Sequence, residues 1–72
     1  MEQGDKIIYV VSGEKGIIVA TKEKPWVKAN DVFGRTEVYP EDKDFLILFK
    51  DNKNEGNYEG EITVWEHEIE KI

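Results

Sequence analysis

The stretch Asp44-Phe45-Leu46-Ile47-Leu48-Phe49-Lys50 decides the fold of this chain. Between its charged ends every residue is apolar, and the run is too short to give a helix both a face and a back. Read with the period of a strand, Phe45, Ile47 and Phe49 share one side while Leu46 and Leu48 share the other. A strand that is apolar on both sides needs cover on both sides, so residues 44–50 are expected at the centre of a sheet.

Downstream, residues 51–60 are rich in Asn, Asp and Gly and read as a turn. Residues 60–65 return as a strand in which Ile62 and Val64 alternate with Glu61, Thr63 and Trp65. Glu66, His67 and Glu68 break that alternation before Ile69 and Ile72 resume it, which predicts one turn of 3₁₀ helix and a last short strand. Upstream, residues 6–11 form a first strand with Ile7, Tyr9 and Val11 on one face and Ile8 and Val10 on the other. Gly13 and Gly16 tighten the connection to a second strand at 16–21, where Ile17, Ile18, Val19 and Ala20 suggest burial on both faces. Residues 22–43 hold both prolines, Asn30-Asp31 and Gly34, with apolar residues only in short clusters. Within them Trp26-Val27 and Glu37-Val38-Tyr39 are expected to pair as an accessory hairpin with its tip at 30–35. No amphipathic stretch of helical period occurs.

Composition agrees with one small domain over residues 1–72. A chain of 72 residues has no room for a second core. The absence of cysteine removes disulfides and thiolate zinc sites as staples, so the apolar core must carry the stability. That usage and the charged opening Met1-Glu2-Gln3-Gly4-Asp5-Lys6 lead to an expected cytoplasmic location. The longest apolar run, 45–49, falls far short of the roughly 20 residues that span a bilayer, so no membrane association is expected. Sixteen acidic against ten basic residues leave a net charge of −6, which opposes non-specific binding to nucleic acid. Five short strands in a flat sheet would leave two bare edges and one bare face. Curling into a barrel covers both, and an all-β, five-stranded barrel is the expected fold.

The same residues carry a resemblance. Gly4-Asp5-Lys6-Ile7-Ile8-Tyr9 followed by Gly13-Glu14-Lys15-Gly16-Ile17-Ile18 resembles the opening of SH3-like barrels of the KOW and Tudor type, a kind found in small bacterial and phage proteins. Ile47-Leu48-Phe49-Lys50-Asp51-Asn52 is similar to their third strand and turn, and residues 62–72 to their ending, where a 3₁₀ turn precedes the final strand. The resemblance implies an SH3-like barrel with residues 22–43 as a long insertion between its second and third strands. It carries architecture only, because such barrels serve proteins, peptides and nucleic acids alike.

Catalytic chemistry has little to work with. Nucleophilic catalysis reduces to Ser12 and His67, neither set in a motif, and both read better as turn residues. Glu66, Glu68 and Glu70 read as a solvated edge that deters strand-to-strand aggregation, not as a catalytic carboxylate pair. His67 with its neighbouring glutamates lacks zinc spacing, and Asp51-Asn52-Lys53-Asn54-Glu55-Gly56 places a lysine where a calcium ligand belongs. Gly13-Glu14-Lys15-Gly16 lies between strands, not ahead of a helix, so it is no phosphate loop. The expectation is a protein that is not an enzyme, with no catalytic residue, cofactor or metal.

Tyr9, Trp26, Phe33, Tyr39, Tyr58 and Trp65 exceed what the core alternation requires. They lead to a non-catalytic protein-interaction module, with Trp26, Phe33, Tyr39 and Tyr58 lining the surface and an acidic rim steering a basic partner. The competing structural role for Trp26 and Tyr39 is to cap an open barrel end. Two alternatives accompany this reading. One is nucleic-acid binding of KOW or Tudor type through Lys15, Lys22, Lys24, Lys28 and Arg35; the other is an acidic DNA mimic or inhibitor. The assembly is expected to be a monomer or a weak homo-oligomer.

Overall fold

A computed structural model describes residues 1–30, 34–50 and 58–72. Its strands are β1 (Lys6–Tyr9), β2 (Lys15–Thr21), β3 (Trp26–Asn30), β4 (Gly34–Val38), β5 (Phe45–Lys50), β6 (Tyr58–Val64) and β7 (Ile69–Lys71). One 3₁₀ turn, Glu66–Glu68, stands between the last two, and no α-helix occurs among the described residues. Five strands form an antiparallel sheet in the order β6-β5-β2-β1-β7, and β3 and β4 pair as a separate ribbon. The strand expected to be central, β5, is hydrogen-bonded on both sides.

Two expected boundaries move by two residues each. The first strand ends at Tyr9, not at residue 11, because the chain turns there: the Gly13 amide donates to the Tyr9 carbonyl at 2.7 Å and the Val10 amide to the Glu68 carbonyl at 2.9 Å. Val10 and Val11 are therefore solvent-facing turn residues. β6 begins at Tyr58, inside the expected turn, and it accommodates Gly60 as a bulge. Leu48 pairs with Glu61 but Phe49 with Glu59, so Gly60 is the extra residue, and its φ of 75° is one that glycine adopts without strain. The accessory ribbon does form, with Trp26 opposite Val38 and Val27 opposite Glu37. Expected burial on both faces of β2 resolves into alternation: Ile18 and Ala20 are fully buried, Ile17 and Val19 half-buried.

The core lies on one side of the large sheet. Ile7, Ile18, Phe45, Ile47, Val64 and Ile69 form one buried cluster, with Tyr9, Phe49 and Ile62 packed against it. A second bulge, at Val19, sets Ile18 opposite Ile47 and then Ala20 opposite Leu46. Ala20 and Leu46 are buried as well, outside that cluster.

Closure into a barrel does not occur. β6 and β7 are the two edges of the sheet, and no ladder joins them. The sheet is nonetheless strongly rolled. Flat, its edges would stand about 19 Å apart, four gaps of roughly 4.8 Å. From Val64 to Ile69 the chain has a three-residue 3₁₀ turn and two extended steps, a reach of about 13 Å. β7 is three residues long and its ladder is with β1. The roll is thus completed by side chains from both edges, Val64 and Ile69, meeting in one cluster.

The N-terminal segment fastens the remaining corner. The Gln3 amide nitrogen Nε2 donates to the carbonyls of Val19 (2.7 Å) and Pro25 (3.3 Å), tying residues 1–5 to the start of the ribbon. The Gly4 amide donates to Ile18 O at 2.8 Å, and the Ile18 amide to Asp5 O at 3.0 Å.

Candidate functional site

β5 and β6 present their second face to a shallow groove whose other wall is the end of β4. Strand parity places Leu46 and Thr63, which are register partners, opposite to Phe45, Ile47 and Val64. The groove, of about 400 Å³, is lined by Val38, Tyr39, Glu41, Leu46, Glu61, Ile62 and Thr63. Its floor is apolar, its lip carries one aromatic ring, and two carboxylates stand at its rim.

The lip is positioned by a short turn. Pro40 is fully buried, and the Lys43 amide closes the turn on its carbonyl at 3.0 Å. The buried proline forces its neighbours outward, leaving Tyr39 47% exposed and Glu41 on the surface. Glu41 takes a φ of 57°, a left-handed conformation unusual for a residue with a side chain.

Trp65, the other exposed aromatic among the described side chains, is already engaged. Trp65 stacks on His67, with ring centres 6.0 Å apart and planes 9° from parallel, and the Lys43 ammonium lies 3.7 Å from the centre of its ring. Its backbone amide donates to Glu68 Oε1 at 2.9 Å and its carbonyl accepts from the Glu68 amide at 3.0 Å, a reciprocal pair that caps the 3₁₀ turn. Trp65 therefore belongs to a built structural corner. Asp44 braces the same corner: its Oδ2 accepts from the Glu66 amide at 2.8 Å and its Oδ1 pairs with Lys22 at 3.2 Å. Those two contacts, the amide first, hold its carboxyl below its ordinary range.

Of the four aromatics expected to line one surface, Tyr39 and Trp26 have described side chains, and they stand apart. Tyr39 stands at the groove. Trp26 is half-buried at the start of β3, opposite Val38, and is absent from the groove lining. Tyr58 begins β6 opposite Lys50, five residues and roughly 16 Å of strand away from Thr63. Phe33 lies outside the described residues, as does the 51–56 segment weighed as a calcium loop. Val38, Glu41, Leu46, Glu61, Ile62 and Thr63 are the groove residues that sequence reading did not assign to a binding surface. The alternation already put Leu46 and Thr63 on the back of the sheet, but nothing local says that the end of β4 lies beside them.

Lys15 and Lys22 bracket the seven-residue β2, which separates them by roughly 23 Å, and Lys22 is paired with Asp44. The backbones of Lys28 and Arg35 belong to the ribbon.

Ser12 Oγ accepts a hydrogen bond from the Glu14 amide at 3.3 Å, the geometry of a turn, while the His67 ring is stacked on Trp65. Among the described residues no group of three His, Cys, Asp or Glu is placed to hold a metal ion. No helix among them is long and apolar enough to cross a membrane. Comparison with known proteins returns no matching family model, no matching curated protein and no matching solved structure.

Proposed function

We propose that this protein is a non-catalytic interaction module that binds a protein partner through the groove beside Tyr39. One observation carries the reading: an exposed aromatic ring held at the lip of an apolar groove by a buried proline. Exposed tyrosine with an adjoining apolar floor is the arrangement in which contact residues supply most binding energy. The net charge of −6 weighs against a nucleic-acid partner.

The architecture proposed with it is SH3-like. Setting the ribbon aside, the sheet order places the first strand between the second and the last, and the third and fourth strands follow the second outward, which is the strand order of such barrels. A 3₁₀ turn before the last strand supports the same reading. The β3–β4 ribbon is then the insertion, and its end shapes the groove.

The test is affinity capture with the parent chain, Tyr39→Ala and Trp26→Ala, each shown to be folded by circular dichroism. A captured protein is then purified and titrated directly against all three. Tyr39→Ala is expected to weaken that binding at least about tenfold, a contact worth more than 1 kcal/mol, and Trp26→Ala to weaken it less. Equal affinity of parent and Tyr39→Ala would sink the proposal.

A further inference from the structure

We infer that the outer face of the large sheet, around Lys6, Lys15 and Ile17, docks an acidic segment of a protein partner whose carboxylates are interspersed with apolar residues. None of these three residues lines the groove beside Tyr39, and the face calls for the opposite charge to the one that the whole chain attracts.

The ladders place the residues of this face. Ile7, Ile18 and Ile47 belong to the core, so strand parity turns Lys6 and Ile8 on β1, Lys15 and Ile17 on β2, and Leu48 and Lys50 on β5 outward. Lys6 is the register partner of Ile17, Ile17 is also the partner of Leu48, and Ile8 is the partner of Lys15. Gly16 pairs with Phe49, so Lys15 and Lys50 stand side by side one step further on. With strands about 4.8 Å apart and alternate residues about 6.7 Å apart, the backbones of Lys6 and Lys15 lie about 8 Å from each other, and those of Lys15 and Lys50 about 5 Å. The three lysines are exposed, and Ile8, Ile17 and Leu48 are half-buried among them.

The charge on this face is unpaired. The chain has sixteen acidic residues for ten basic ones, and Lys22 and Lys71 each have a carboxylate, yet no ion pair or ring contact engages Lys6, Lys15 or Lys50 among the described residues. Like charges side by side on neighbouring strands oppose the fold, and Lys15 beside Lys50 is such a pair. On the same face Glu70, the partner of Ile8, and Glu61, the partner of Leu48, stand at the two edge strands, and Glu61 has an interaction of its own. An occupant therefore has to bring its own carboxylates to the centre. A purely apolar one would strip water from the ammonium groups and return nothing. A nucleic-acid strand would find those groups but no described ring on which to stack its bases, and it would meet a net charge of −6. An acidic segment with apolar residues matches both parts at once: its carboxylates take the ammonium heads, and its apolar side chains lie on Ile8, Ile17 and Leu48 beside the lysine stems.

The experiment is a chemical-shift titration of the full chain with the capped peptide Asp-Leu-Gly-Glu-Leu-Gly-Asp, with its counterpart carrying Asn and Gln for Asp and Glu, and with oligothymidylate. At about 150 mM salt charges beyond roughly 8 Å are screened, so the chain's remaining carboxylates do not mask a local contact. The acidic peptide is expected to shift the amides of Lys6, Ile8, Lys15, Ile17 and Leu48 saturably. Lys6→Gln and Lys15→Gln should each weaken it about two- to fivefold, the range of an exposed ion pair, and Ile17→Thr should weaken it as well, each variant shown to be folded by circular dichroism. Equal shifts of the same amides by the neutral peptide, or unchanged binding by the Lys6→Gln and Lys15→Gln double variant, would overturn the assignment of charge. Oligothymidylate shifting those amides at lower concentration than the peptide would make the face a nucleic-acid surface and overturn the proposal also. No shift with the acidic peptide overturns it outright, while Tyr39→Ala against the parent decides the groove separately.

Discussion

A Cβ atom placed on Gly16 would stand 2.5 Å from the carbonyl oxygen of Leu48, closer than any real side chain approaches a backbone. Gly16 and Phe49 are register partners where β2 meets β5, so the two central strands close on each other through the absence of a side chain. Gly16→Ala is expected to destabilise the fold by about 1–3 kcal/mol, since the obstructing atom is backbone and must move with its ladder. Urea unfolding measures it. An unchanged or raised midpoint, the usual gain from replacing glycine by alanine, would show that the strands separate freely there.

Ile47 is fully buried between Ile18 on β2 and Ile62 on β6. Ile47→Ala is expected to cost about 2–5 kcal/mol and Ile47→Val about 0.5–1.5. In a domain this small the larger figure approaches the whole stability, so the alanine variant should be mostly unfolded at 37 °C by circular dichroism. Tyr39→Ala, on the surface, should stay within about 0.5 kcal/mol of the parent.

Asp44 makes the fold sensitive to acid. Its carboxyl is held below the ordinary 3.8 by the Glu66 amide and then by Lys22. Asp5 is lowered in the same direction by the Glu2 amide and then Lys71. A carboxyl whose folded pKa is depressed stabilises the fold above its unfolded value and loses that contribution as pH falls through the folded one. The urea midpoint should therefore be flat from pH 7 to about 5 and fall below about 4. Asp44→Asn should lower it at pH 7 and make the fall below pH 4 shallower; an equally steep fall would exclude Asp44 as a cause.

The β3–β4 ribbon shares no ladder with the large sheet. Two strands alone are marginal in water, so the ribbon is expected to open without the rest of the domain. Amide hydrogen exchange should show Val27 and Glu37 exchanging at least tenfold faster than Ile18 and Ile47. Equal protection would mean that ribbon and sheet unfold as one unit.

The strands were largely legible because alternation is a local signal. Phe45 to Phe49, Ile62 with Val64, and Ile69 after the 3₁₀ turn each declare their inner face within a few residues. The boundaries that moved did so for reasons of partnership. Val10 and Val11 look like strand residues but lie beyond the point where the Gly13 amide closes on Tyr9. Tyr58 looks like part of a turn but gains Lys50 as a register partner. Between the two described side chains expected at one surface, Tyr39 lines the groove and Trp26 does not, because sequence shows that an aromatic is surplus to the core and not where its strand ends relative to others.

By itself, then, the order of residues determined an all-β chain and which side of each strand faces inward, since the pleat turns side chains over at every step whatever lies beyond. Tertiary structure alone decided that the sheet stays unclosed, that Trp65 is occupied by Lys43 and His67, and that Tyr39 stands beside Leu46 and Thr63. Those relations depend on register, bulges and the docking of a separate ribbon, all of which join residues distant in the chain and leave no local periodicity to read.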